Sequence, residues 1–256
     1  MSPAAGPSAT PWQDRRPTWY AGPPTFWGEL WTMLHLPYTL MVLSFVLVGA
    51  AISPHISWIV LIGTLVAYFL GLGVGAHFLD QLPGMGSSYV RHWPSWGLWL
   101  GGAGGIGVAI ALGVVGSLWY VGWPILILVL IQAFCAFGYP LAPVFRGLLH
   151  RESVFALSWG SLPFLTSFYA QSGTITIVAV LVAAGFAAVA VLEIRLSRLS
   201  RRLRSGAAAS PQDQGGRPDP PWVSIRRVDL ALGVLAFGTF LLALALLMSR
   251  ILIASS

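Results

Sequence analysis

Lysine and asparagine are absent from the 256 residues, cysteine occurs once, and charged side chains make up only 9% of the chain. Without lysine there is no Schiff-base nucleophile and no lysine-bearing phosphate loop. Without asparagine there is no N-glycosylation acceptor. Cys135, alone in an apolar run, excludes a disulfide framework and a thiolate metal cluster, and is expected to be a buried, inert thiol. What remains is 56% hydrophobic with a mean hydropathy of +0.77, too apolar for a soluble domain. The composition implies an all-α integral membrane helical bundle. The net charge of +6 comes from arginines that flank apolar segments. They read as determinants of topology, so no nucleic-acid partner is expected.

Crossing roughly 30 Å of hydrocarbon takes about 20 apolar residues, and this ruler predicts seven spans, near 28–51, 57–79, 95–116, 120–140, 152–171, 174–194 and 228–252. Residues 1–26, rich in Pro, Ala, Ser and Gly and without a signal-peptide core, are expected to form a disordered cytoplasmic tail. Residues 27–194 then form a six-helix transmembrane core. Residues 195–227 are a basic helix extension and a mobile loop, and 228–252 is the seventh transmembrane helix. The connections at Ser53-Pro54, Ser117 to Gly122 and Ser172-Gly173 are short and uncharged, whereas those at 81–94, 141–151 and 195–227 carry arginine. Placing the arginine-bearing connections inside leaves only Arg250 outside. The expected orientation is therefore N-terminus cytoplasmic and C-terminus outside, in the inner membrane of a prokaryote. Trp27, Trp31, Trp93 and Trp96 fit as anchors on the inner side, and Trp58, Trp119 and Trp123 on the outer.

The third span carries small residues every four positions, Gly97, Gly101, Gly105, Ala109, Gly113 and Ser117, and the second a shorter ladder, Ala67, Gly71 and Gly75. Such ladders let helix backbones approach closely. They predict that spans two and three pack together, and the longer ladder equally suits a homo-oligomer contact.

Ionisable side chains within or at the ends of spans are costly unless partnered, which makes them functional candidates. Here they are Glu29, His35, His77, Asp80, His150, Arg151, Glu152, Glu193 and Arg195, and by the topology above all fall near the inner face. Tyr38, Gln81, Tyr139 and Trp159 join them on that side, so a polar, cytoplasm-facing cavity is expected. In GLGVGAHFLDQLPG, residues 71–84, the spacing of three puts His77 and Asp80 on one helix face beside small residues. Together they suit a general base or proton relay. Magnesium prefers oxygen ligands, and Asp80 and Glu193 are the placed candidates for it. The run RLSRLSRRLR, residues 195–204, serves either as plain topology determinant or to attract anionic headgroups or a diphosphate.

A first span LHLPYTLMVLSFVLVGA with proline near its inner side, and a second span ending in a polar motif with aspartate, resemble the UbiA-type prenyltransferase superfamily. The segment FGYPLAPVFRGLLHRESVFALSWGSLPFLTSFYAQ looks like the fourth and fifth spans of its divergent members. The resemblance covers roughly residues 28–204. Typical members hold magnesium on an isoprenoid diphosphate with two aspartate-rich motifs, the first reading Asn-Asp-x-x-Asp-x-x-x-Asp, and transfer the prenyl group to an acceptor. On that pattern Ala76 stands at the asparagine, His77 at the first aspartate, Asp80 at the second and Gly84 at the third. The second motif is reduced to Glu193 followed by arginines.

The resemblance thus implies an isoprenoid (polyprenyl) diphosphate or phosphate bound at the inner face, with His77 and Asp80 as catalytic residues. His35, Tyr38, Tyr139, Arg146, Arg151, Glu193, Arg195 and Arg198 would line the substrate, the arginines taking over charge neutralisation where carboxylates are missing, and Asp80 and Glu193 would hold any remaining Mg2+. The alternative it leaves is a catalytically inactive lipid-binding or accessory membrane subunit.

Overall fold

The computed structural model describes residues 17–85, 89–141, 144–145, 147–205 and 224–255, and every regular element among them is helical. We number the helices α1 (Phe26–Met33), α2 (Leu36–Ala51), α3 (Trp58–Asp80), α4 (Ser95–Val121), α5 (Ile125–Gly138), α6 (residues 152–172), α7 (Ile177–Ser205) and α8 (Ile225–Ser255). Five segments are long and apolar enough to cross a membrane: α1 with α2, α3, α4, α7 and α8. Such segments are helical because hydrocarbon offers the backbone no partner but itself. Helix α5 is apolar but shorter, with 14 residues.

The first predicted span is broken. Pro37 has no N–H to give to the carbonyl of Met33, which instead accepts the His35 Nδ1–H at 2.9 Å. His35 itself adopts a left-handed conformation, φ 46° and ψ 44°, at the junction of α1 and α2. Beyond it α2 runs through the middle of the bundle, with Met41, Val42, Phe45, Val46 and Ala50 at most 2% exposed. It packs on α6, where a Cβ at Gly49 would stand 2.6 Å from the Phe164 carbonyl. Ser167 Oγ donates to the Val46 carbonyl at 2.7 Å.

Polar contacts tie the helices at both ends. At one end Gln171 bonds both backbone groups of Ser57, at 2.7 and 3.2 Å, and Arg250 donates to the carbonyls of Ser53 and Pro54. At the other, Glu29 is 5% exposed and accepts the N–H groups of Arg91 and His92 at 3.0 and 2.9 Å and His92 Nδ1–H at 2.8 Å. There Glu152 holds Arg195 and Arg198, and Asp229 holds Arg204 and Ser200. All described arginines except Arg250 gather at this second end. Exposed tryptophans mark both ends, Trp27, Trp31 and Trp96 on the arginine-bearing side and Trp58, Trp119 and Trp123 opposite.

Spans two and three meet through their small residues as expected. A Cβ at Gly105 would lie 2.7 Å from the Leu70 carbonyl and 3.2 Å from the Gly75 nitrogen, and one at Gly71 would lie 3.2 Å from Ala109 Cβ. This stretch of α3, Phe69–Ala76, is wound more widely than an α-helix, with π-type turns, as are Ser117–Val121 in α4 and Ala156–Ser161 in α6.

Two boundaries differ from the sequence reading. Residues 17–25 are packed rather than disordered: Trp19 and Tyr20 lie against Tyr38, Val228 and Leu232, and Gly22 N–H reaches Thr32 Oγ1 at 2.9 Å. Two aromatic side chains outweigh the Pro and Gly around them. The last helix starts at Ile225, within the expected loop. Residues 1–16 of the tail and 206–223 of the loop lie outside the described residues, as does Arg146.

Candidate functional site

The arginine-bearing end holds a cluster of aromatic, histidine and carboxylate side chains from most elements of the bundle. At its centre His35 stacks on His77, ring centroids 4.3 Å apart and planes inclined by 19°. Each ring is fixed by its own chain: His35 Nδ1 faces the Met33 carbonyl and His77 Nδ1 the Gly73 carbonyl at 3.1 Å. A carbonyl only accepts, so Nδ1 carries the proton in both rings and each Nε2 presents a lone pair. Tyr20 closes over this pair, 5.7 Å from His35 and 5.5 Å from Tyr38, both edge-on.

The carboxylates lie around the stack. Glu193 is 3% exposed, yet neither it nor Asp80 accepts a hydrogen bond among the described residues. Their compensation is electrostatic: Arg201 acts on Asp80 and Glu193 together, Arg198 on Glu193, and His150 on Asp80. Arg201 is placed by its own helix, where Nη1 donates to Ser197 Oγ at 3.1 Å. Tyr139 flanks the group and stacks on His150 at 4.4 Å, with Trp159 5.2 Å away and Phe155 behind. Two further hydroxyls, of Tyr20 and Tyr89, are buried with no partner among the described residues. Burial, reinforced by the charges of Asp80 and Glu29, holds the Tyr89 hydroxyl protonated far above the usual phenol range.

Of the residues predicted from sequence, the structure brings together His35, Tyr38, His77, Asp80, Tyr139, Glu193 and Arg198. His77 and Asp80 share the cluster without bonding to one another among the described residues, so His77 is oriented by stacking and by Gly73, not by the carboxylate. Arg195 is engaged elsewhere: its Nε and Nη2 donate to Glu152 Oε2 at 3.0 and 2.9 Å. Arg198 Nη1 takes Glu152 Oε1 at 2.7 Å, while the same arginine faces Tyr139 and Glu193. Glu152 therefore clamps α6 to α7. Arg151 is exposed. Glu29 holds the turn after α3 in place through His92.

The sequence reading missed Tyr20, Tyr89 and Arg201. Tyr20 lay in the segment assigned to the tail, and Tyr89 in a loop. For Arg201 there was a signal: Glu193, Ser197, Ser200, Arg201 and Arg204 recur at helical spacing, a polar face on a helix otherwise apolar.

The donor set does not fit a magnesium cluster like that of the resembling family. Among the described residues no three His, Cys, Asp or Glu side chains group together. Nor do the stacked histidines converge, because lone pairs lying in nearly parallel ring planes cannot meet on one ion. What the cluster offers is unpartnered acceptors, on Asp80, Glu193 and two imidazole Nε2 atoms, beside unpartnered phenol donors and arginine. It can hydrogen-bond a polar headgroup and move a proton.

A cavity of about 270 Å³ lies apart from this cluster, in the other half of the bundle among α3, α4, α5 and α6. Its wall reaches Gly71 and Leu72, and Leu72 stands about 8 Å along the axis from His77 at 1.5 Å per residue. No protein-family model, curated protein or solved structure matches the chain.

Proposed function

We propose that the chain is a divergent UbiA-like membrane protein that binds an isoprenoid phosphate or diphosphate headgroup at the arginine-bearing end, with that end facing the cytoplasm of a prokaryote and seven transmembrane passes. The reading is supported chiefly by one observation: Glu193 and Asp80 lie without hydrogen-bond partners among the described residues, beside Arg201, Arg198 and the phenols of Tyr20 and Tyr89. A protonated phosphate oxygen would be taken by the carboxylates and charged oxygens by arginine and phenol, a pattern of charge-assisted bonds worth more than neutral ones. Binding without transfer accords better with the missing carboxylates. Arginine then does the neutralising that magnesium does in typical members, and no step is assigned to a metal.

Lipid extracted from the purified protein and analysed by mass spectrometry should contain an isoprenoid phosphate. Farnesyl diphosphate should bind with farnesol at least tenfold weaker, and Arg201→Ala should cost roughly tenfold, the value of one charge-assisted hydrogen bond. Ordinary phospholipid alone, with no preference for the phosphate, would leave the accessory lipid-binding reading. Consumption of farnesyl diphosphate that requires magnesium and is lost in both His77→Ala and Asp80→Ala would restore the prenyltransferase, with Asp80 and Glu193 on the ion.

A further inference from the structure

The cavity in the other half of the bundle is walled almost wholly by aliphatic and small residues, and no ionisable side chain other than tyrosine lines it. It exists because Gly63, Ala67, Gly71, Ala109 and Gly113 leave room between α3 and α4 where bulkier residues would meet. Its rim includes Ile59 and Tyr120, 57% and 58% exposed, so it opens near the start of α3 and the wide final turn of α4, away from the arginine-bearing end.

Most polar groups in its wall are already engaged. Tyr68 donates to Thr166 Oγ1 at 2.8 Å, and Thr64 Oγ1 donates to the Val60 carbonyl at 2.8 Å. Gln132 differs. Its Nε2 donates to Ser158 Oγ at 2.7 Å, while Oε1 is buried with no partner among the described residues. Exchanging the two ends of the amide leaves the other atom in the same position, so the deficit does not depend on the assignment. An amide oxygen left unpaired in an apolar surrounding costs about 1–3 kcal/mol. The broad terminal torsion of glutamine lets a small turn present it to the cavity.

We infer that this cavity is a binding site for a neutral lipid-soluble alcohol, an apolar chain ending in one hydroxyl that the Gln132 amide receives. A hydroxyl both donates and accepts, so it satisfies either orientation of the amide. A phosphate, carboxylate or ammonium finds no counter-charge here and is excluded by desolvation. The site is separate from the headgroup cluster and does not depend on the isoprenoid-phosphate reading.

The test uses the full chain in lipid nanodiscs with a diazirine-bearing hexadecanol as probe, photolysed and mapped by peptide mass spectrometry. Label should fall on peptides of α3, α4 and α5. Unlabelled hexadecanol should displace it roughly tenfold better than hexadecane, the difference one hydrogen bond makes. Gly63→Phe, which fills space where a Cβ meets nothing within 4 Å, should reduce labelling about tenfold while farnesyl diphosphate binding is unchanged. Gln132→Leu should make hexadecanol and hexadecane equal competitors. If that variant does not fold, the competition in the native protein decides alone. Equal displacement by the two in the native protein, label spread over the lipid-facing surfaces, or full labelling of Gly63→Phe would overturn the inference.

Discussion

From Gly71 to Asp80, α3 presses against α4 so closely that backbone touches backbone, whereas from Ile59 to Ala67 the same two helices part around an apolar cavity. Both stretches carry small residues at four-residue intervals. The difference lies in what surrounds them. In the close half the ladder of α4 faces the ladder of α3, Gly105 on Leu70 and Gly75, while Phe78 and Leu79 fill the space over Gly101 and Gly102. In the open half Gly113 turns to Val129 of α5, and Gly63 and Gly116 meet nothing within 4 Å. A small residue is thus a contact in one place and a void in the other, and only the partner decides which.

The contrast can be broken most sharply at Gly105. Gly105→Leu drives a side chain into the Leu70 carbonyl, and overpacking of this kind costs about 1–3 kcal/mol or more. We expect a fall of about 5 °C or more in the melting temperature of the detergent-solubilised protein; an unchanged value would mean the helices are free to separate. Next in size is Glu29→Ala, which strips two backbone N–H groups and His92 of their acceptor. A loss of about 1–3 kcal/mol is expected, measured as faster hydrogen exchange at Arg91 and His92 together with lowered stability. Exchange at the wild-type rate would show that water replaces the carboxylate at no cost. Smallest is Gly63→Ala in the open half. With nothing near its Cβ it should leave stability unchanged or raise it by up to about 1 kcal/mol through helix propensity, and a clear destabilisation would show that the cavity closes in the membrane.

The sequence made the helical architecture readable because long uncharged runs leave one structural option in hydrocarbon. The pairing of spans two and three was readable too, since both ladders could be counted. The residues of the candidate site were largely identified, but not their arrangement. That His35 faces His77 depends on a left-handed residue where the helix is interrupted ahead of Pro37, and periodicity assumes an uninterrupted helix. Glu152 looked sufficiently explained by its place at a helix start, yet it binds Arg195 and Arg198 more than forty positions away. Arg201 was hidden among five arginines whose roles differ only in which face of α7 they occupy. The cavity could not be read at all, because glycine in a sequence does not say whether its space is filled.

The wide winding of Phe69–Ala76 has a consequence for how the gene can change. Each extra residue accommodated there rotates everything beyond it by about 100° around the helix axis. Loss of a single codon in this glycine-rich stretch would rewind it toward ordinary α-helix and swing His77 away from His35, although no residue of the cluster itself had been altered. Length within this segment, more than composition, is therefore the quantity that selection on the site would hold constant.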